Sequence, residues 1–174
     1  MASAFSHIAI PLVTRSLAGQ ERITLRLLWL GLFLSVAPDL DVIAFRFGIP
    51  YASPWGHRGF THSIVFALIV SFALVPTHAF FRAKKLNLFW FSFVSLISHA
   101  ILDAFTNGGL GVAFFWPFNN ERYFFPWRGI QVSPIGVRNF FTMRGLVVLG
   151  SEFVYVWLPC LVLLAIRRFF QRKH

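Results

Sequence analysis

Acidic residues are scarce in this chain, six against sixteen lysines and arginines, for a formal net charge of +10. Charge of either sign makes up only 13% of the sequence, well below the quarter or so of a soluble domain. Cysteine occurs once, as Cys160 inside an apolar run. That excludes an internal disulfide framework and any multi-cysteine metal site. A positive leader is missing too: the chain opens Met-Ala-Ser-Ala-Phe, and Arg15 interrupts its first apolar run, which argues against a cleaved signal peptide. There is no internal repeat and no low-complexity tract. The 174 residues suit one domain, 1–174.

What the chain has instead is apolar surface. Apolar residues reach 57%, with 23 phenylalanines, and the mean hydropathy is +0.68. Such a composition belongs to a protein whose solvent is largely lipid. A membrane-crossing helix needs about 20 mostly apolar residues. Ser63–Phe81, Leu86–Leu102 and Gly145–Ile166 meet that requirement, the last interrupted only by Glu152. Met1–Thr14 and Leu27–Pro38 are shorter, and read as tilted spans or as a hairpin dipping into the bilayer. Pro76 is placed to kink the Ser63–Phe81 run, because proline removes a backbone donor. The expectation is an all-α polytopic bundle of four to five spans.

The excess of positive charge does not indicate nucleic acid once it is located. Arg82, Lys84 and Lys85 form one cluster between apolar runs, and Arg167, Arg168, Arg172 and Lys173 form another at the C-terminus. Basic residues flanking spans mark the cytoplasmic side. With that side assigned to both clusters, and with both short runs crossing, Arg15, Arg22 and Arg26 join them. Ten of the sixteen basic residues are then inside. The C-terminus is expected in the cytoplasm. The outer loops are expected at Leu40–Thr61 and about Phe105–Arg144, the second lying against the membrane surface through its Trp and Phe residues.

Histidine and aspartate carry the chemistry. Three stretches stand out: Pro38-Asp39-Leu40-Asp41, then Gly56-His57-Arg58-Gly59-Phe60-Thr61-His62-Ser63, then Ser98-His99-Ala100-Ile101-Leu102-Asp103. In the topology above, all three emerge at the same outer membrane face, and His7 of the N-terminal run is added to them. His99 and Asp103 are four apart, hence neighbours on one helix face. Thr61 is positioned to cap the helix that His62 opens. Singly, each motif has a plainer reading: a hydrogen-bonded pair locking two helices, a carboxylate capping a helix end, histidines at an interface. Jointly, imidazole and carboxylate donors suit a divalent cation, Zn²⁺ first, with Mn²⁺ and Fe²⁺ also compatible. Asp103 reads either as a ligand or as the partner that orients an imidazole. Arg58 reads as a partner of Asp39, Asp41 or a bound anion. Glu152, inside the last span, is a functional candidate by its position alone. His78 falls beside the basic cluster at the other face, and His174 is terminal with no visible partner.

These strings, followed by Trp116-Pro117-Phe118, resemble the membrane-bound metal-dependent hydrolases, the family of YdjM-like bacterial inner-membrane proteins associated with LexA regulation. The resemblance runs from His7 to about Phe118. It implies that His7, Asp39, Asp41, His57, His62, His99 and Asp103 form a metal centre in the inner membrane, and that the activity is hydrolytic. One departure is that the acidic pair is followed by Val42 and Phe45 rather than by polar residues. A looser similarity, in ligand types alone, is to the all-helical zinc phospholipase C and nuclease group.

The expectation is therefore a metal-activated water attacking a phosphoester or other ester of a small molecule or membrane lipid, with Asp39 or Asp41 as general base. The alternative is a non-enzymatic membrane scaffold, or a carrier of metal or protons, built on the same groups.

Overall fold

The computed structural model describes residues 1–134 and 137–171. Among these there is no strand, only two isolated bridges, Thr106 to Ile130 and Val112 to Tyr123. The helices are α1 (Ala4–His7), α2 (Ala9–Ala18), α3 (Leu25–Leu34), α4 (Ile64–Leu74), α5 (Lys85–Ala104), α6 (Val137–Phe140), α7 (Met143–Glu152) and α8 (Leu158–Gln171). A 3₁₀ segment, Ala37–Phe47, prolongs α3, another, Val75–Ala79, prolongs α4, and a π-turn at Phe153–Trp157 joins α7 to α8.

Among the described residues three helices are long and apolar enough to cross a membrane, Leu25–Phe47, Lys85–Ala104 and Met143–Gln171; Ile64–Ala79 is a shorter apolar helix. The chain is thus a helical membrane protein; among the described residues it has three candidate spans and one shorter apolar helix, which do not confirm the expected four to five spans. The differences from the sequence reading fall where prolines stand. Pro11 has no N–H to give the His7 carbonyl, and the N-terminal run breaks between α1 and α2. Pro76 lies at the point where α4 tightens into its 3₁₀ end. Leu27–Pro38, the short run, instead belongs to one of the long candidates because the chain stays helical past Pro38.

α5 is the hub, packing against α1, α2, α3 and α4. Its buried stripe of Leu88, Phe91, Ser92, Ser95, Leu96, His99, Leu102 and Asp103 follows the helical period. The stripe is apolar at one end and ionisable at the other. α4 is arranged inside out: it buries Ala67 and Ser71 and exposes Ile69 and Phe72. Small residues inside and large apolar ones outside suit helices that pack closely in lipid. Gly31 on α3 is one such close approach, since a Cβ there would lie 2.3 Å from the Phe91 ring. Gly31→Val is expected to cost about 1–3 kcal/mol through overpacking, read as a lower thermal midpoint in detergent.

The ends of α3, α5 and α7 and the starts of α1 and α4 meet at one end of the bundle. The segment after α5 folds over them: Ala113 N–H donates to the Arg58 carbonyl, Ile64 N–H to that of Phe114, and Ser133 N–H to that of Met1. Its aromatic rings are packed into this cap, with Trp116 against Trp55 and Phe60, and Phe105 against Phe125 and Trp127.

Candidate metal centre

The site begins with a change of helical pitch. In an α-helix the Ser35 carbonyl would accept from Asp39 N–H. Here Asp39 N–H donates to Val36 instead, the tighter pattern of the segment containing Pro38. The released Ser35 carbonyl is 2.8 Å from His99 Nδ1. A carbonyl only accepts, so His99 carries its proton on Nδ1 and presents the lone pair of Nε2 to the interior. His62 is held the same way: its Nδ1 faces Thr61 Oγ1 at 3.0 Å and Asp41 Oδ2 at 3.3 Å.

The two freed nitrogens, His62 Nε2 and His99 Nε2, are 3.0 Å apart. Two imidazole lone pairs do not sit at that distance without something positive between them, either a proton or a metal ion. Two carboxylates complete the surround. Asp39 Oδ1 is 3.3 Å from His99 Nε2 and 3.8 Å from His62 Nε2. Asp103 Oδ2 is 3.6 Å from His62 Nε2 and 4.0 Å from His99 Nε2. Ligands at the usual zinc distance of about 2.0–2.1 Å stand roughly 3.3 Å from one another in a tetrahedron, which the observed edges of 3.0 to 4.0 Å bracket. Asp39, His62, His99 and Asp103 could therefore hold a metal ion. Without one, burial works against the charged form of His62, but the carboxylates of Asp103, Asp39 and Asp41 around it outweigh burial and push its pKa up to about 10.

His7 lies directly on this cluster. Its ring stacks on that of His99 with centroids 3.8 Å apart, and its Nε2 is 3.6 Å from Asp103 Oδ1 and 3.9 Å from Asp39 Oδ2. The His7 side chain is fully buried. His7 Nδ1 and Nε2 and Asp39 Oδ1 are buried without a hydrogen-bond partner. Buried polar atoms are rarely left so, since each costs about 1–3 kcal/mol. Three such atoms, beside the Asp103 carboxylate, match the donor set of a cation.

Arg58 serves this cluster from behind. It is fully buried, and its Nε lies 2.9 Å from Asp103 Oδ2, while Nη1 donates to the Gly108 carbonyl and Nη2 to Thr106 Oγ1. Its guanidinium thus pairs with Asp103, while only its backbone N–H reaches Asp41. Asp103 Oδ1 also accepts from Ala2 N–H at 2.6 Å, which ties the N-terminal segment to the cluster.

Asp41 and His57 form a second layer that shares His62. Asp41 Oδ1 is 2.6 Å from His57 Nδ1, and Oδ2 accepts from Arg58 N–H at 3.1 Å and from Thr61 Oγ1 at 2.7 Å. Asp41, His57 and His62 make a second set that could hold an ion. The turn carrying them is narrowly determined. Arg58 takes a left-handed φ of 62°, unusual for a side-chain-bearing residue. A Cβ on Gly59 would meet the Pro54 carbonyl oxygen at 2.1 Å, an immovable backbone atom. Arg122 clamps the outside, donating from Nη1 to the His57 carbonyl and from Nη2 to those of Tyr51 and Ser53.

The structure thus gathers Asp39, His62, His99 and Asp103, sets His7 against them, and places Asp41 and His57 one layer out. Thr61 is not the cap of α4; Ser63 is, accepting from Phe66 N–H, and this leaves Thr61 free to bond Asp41. Glu152 is spent on Ser3, accepting from its N–H and its Oγ, and so fastens α7 to the segment bearing His7. His78 stands at the other end of the bundle, its Nδ1 3.3 Å from the Ala83 carbonyl. His174 lies outside the described residues. Ser35 and Arg122 were not visible beforehand: one acts through its carbonyl, which any residue possesses, and the other joins stretches of sequence that carry no common motif.

Fold and geometry together define the class: a helical membrane protein with a buried histidine–aspartate cluster at one end of its bundle. The particular family follows from comparison with known proteins. The chain belongs to the YdjM inner membrane protein family, which it matches over residues 1–174. It is 42% identical over 165 residues to the inner membrane protein YbcI of Escherichia coli (strain K12), covering 94% of this chain and 95% of that protein. No solved structure matches.

Proposed function

We propose that the protein is an inner-membrane metal-dependent hydrolase, with His7, Asp39, His62, His99 and Asp103 around a single divalent cation, zinc first. Asp41 and His57 brace this set. The observation that carries the proposal is the group of buried donor atoms with no hydrogen-bond partner, on His7 and Asp39, beside two imidazole nitrogens 3.0 Å apart. When bound, such a cation polarises an ester oxygen and lowers the pKa of a water to about 7 in the best zinc cases.

The residues divide the remaining work by their surroundings. Asp39 is the only carboxylate of the inner set with exposed surface, 12% of its side chain against none for Asp103. An ester and a water approaching from outside meet Asp39 first, and it takes the proton from the attacking water. Asp41 has both oxygens engaged by His57, Arg58 and Thr61, so its part is to fix the His62 ring. Loss of such an outer partner costs roughly 10–100-fold in metal affinity, and Asp41→Asn is expected to do so in a competition titration against a zinc-binding dye. The basic clusters at the opposite end support a cytoplasmic assignment for that end, with the metal cluster toward the outer face. The substrate is then a phosphoester or other ester that reaches the outer leaflet, including a lipid headgroup.

A second reading has one observation in its favour. Four protein donors close a tetrahedral shell, and closed shells are the habit of structural zinc; the protein would then be a scaffold whose helices a metal pins together. A screen of phosphoester and lipid esters with added Zn²⁺, Mn²⁺ or Fe²⁺ separates the two. Hydrolysis that needs the metal and is lost in His99→Ala supports the hydrolase. Metal that stays bound and raises the thermal midpoint, with no ester cleaved, supports the scaffold.

A further inference from the structure

The opposite end of the bundle holds a pocket that the metal cluster does not explain. It has a volume of about 340 Å³ and lies between the end of α2 and the end of α8. Arg15, Arg167 and Arg168 line it, with Gln20, Gln171 and, on the side toward the helix interior, Leu164. No carboxylate lies within ion-pair distance of these arginines among the described residues; Glu21 folds over Gly19 at the rim, so three positive charges face one negative. Two of the arginines are held by hydrogen bonds. Arg15 Nε donates to the Ile23 carbonyl at 3.0 Å. Arg167 donates from Nε and Nη2 to the Gln171 side-chain oxygen at 3.2 and 3.3 Å, in the amide orientation that satisfies both groups. Arg167 Nη1 is buried with no hydrogen-bond partner.

We infer that this pocket is a binding site for the phosphate of an anionic phospholipid. Guanidinium groups with unused donors match phosphate oxygens. Basic pockets between membrane helices at the cytoplasmic side bind such headgroups. A lipid rather than free phosphate is the occupant because α8, a candidate span, ends here. Immediately before the arginines α8 exposes the apolar side chains of Leu161, Val162, Leu163 and Ile166. A headgroup in the pocket leaves its acyl chains against these side chains, in the leaflet opposite the metal cluster. The site is independent of any hydrolytic activity.

The test uses the full chain purified in detergent, with phosphatidylglycerol, phosphatidylcholine and inorganic phosphate as probes and native mass spectrometry as the readout. Phosphatidylglycerol is expected to be retained in preference to phosphatidylcholine, and inorganic phosphate at matched concentration is expected not to displace it. Arg168→Gln should weaken retention roughly fivefold, and Arg167→Gln with Arg168→Gln roughly 25-fold. Lys85→Gln, at the same end but outside the pocket, should leave it unchanged. Equal retention of the two lipids, displacement by inorganic phosphate, an undiminished double variant, or an equal loss in Lys85→Gln would each overturn the assignment. Should the double variant fail to fold, Arg168→Gln decides, since Arg168 is exposed and its replacement removes no packing.

Discussion

Purified His62→Ala protein is expected to carry no bound divalent metal when wild-type protein, prepared alongside with zinc, carries a single ion. His62 is the hinge of the site. Its Nε2 faces His99, Asp39 and Asp103, and its Nδ1 faces Asp41 and Thr61. Removing the ring takes away a donor and opens the inner set toward the outer layer. The loss should exceed the roughly 10–100-fold that an outer partner costs. His78→Ala is the matched control, because His78 stands at the other end of the bundle and should leave the metal in place. Elemental analysis of the two variants reads the difference, and full occupancy in His62→Ala would count against the site.

Arg58→Ala should be among the most destabilising single changes in the chain. It strands the Asp103 carboxylate, which is fully buried, without its guanidinium partner. Removing one member of a buried ion pair costs about 3–5 kcal/mol. The same substitution frees the Gly108 carbonyl and Thr106 hydroxyl that Arg58 now satisfies. Lysine should not rescue it, because one ammonium cannot reproduce a fork that reaches Asp103, Thr106 and Gly108 together. The loss should also depend on metal. A cation beside Asp103 supplies part of the missing positive charge, so the variant should melt further below wild type in chelator than with zinc added. A variant that melts with wild type under both conditions would show that Asp103 does not need its partner.

How much of this was legible beforehand depended on the kind of signal. His99 and Asp103 could be paired from spacing alone, because four residues is a fixed geometry on a helix. The membrane character of the chain followed from apolar content. The extent of the helices was less legible, since length of apolar run and length of helix part company at prolines: Pro76 coincides with a shortened helix and Pro38 does not. The joining of the three motifs to His7 required topology, and it is accomplished by groups that leave no mark in sequence. One is the Ser35 carbonyl, released because Asp39 N–H takes the i−3 partner; another is the Ala2 N–H on Asp103. Arg58 illustrates the same limit. Its neighbours in sequence pointed to Asp39 or Asp41, and only the left-handed turn at Arg58 itself, with the close packing behind Gly59, sends its side chain to Asp103.

X-ray absorption at the zinc edge, on wild-type protein purified with zinc, tests the metal centre most directly. The account predicts a shell of nitrogen and oxygen at about 2.0–2.1 Å, with imidazole scattering that diminishes in His99→Ala, and no sulfur. Protein that takes up no zinc, or zinc bound without imidazole, would contradict it.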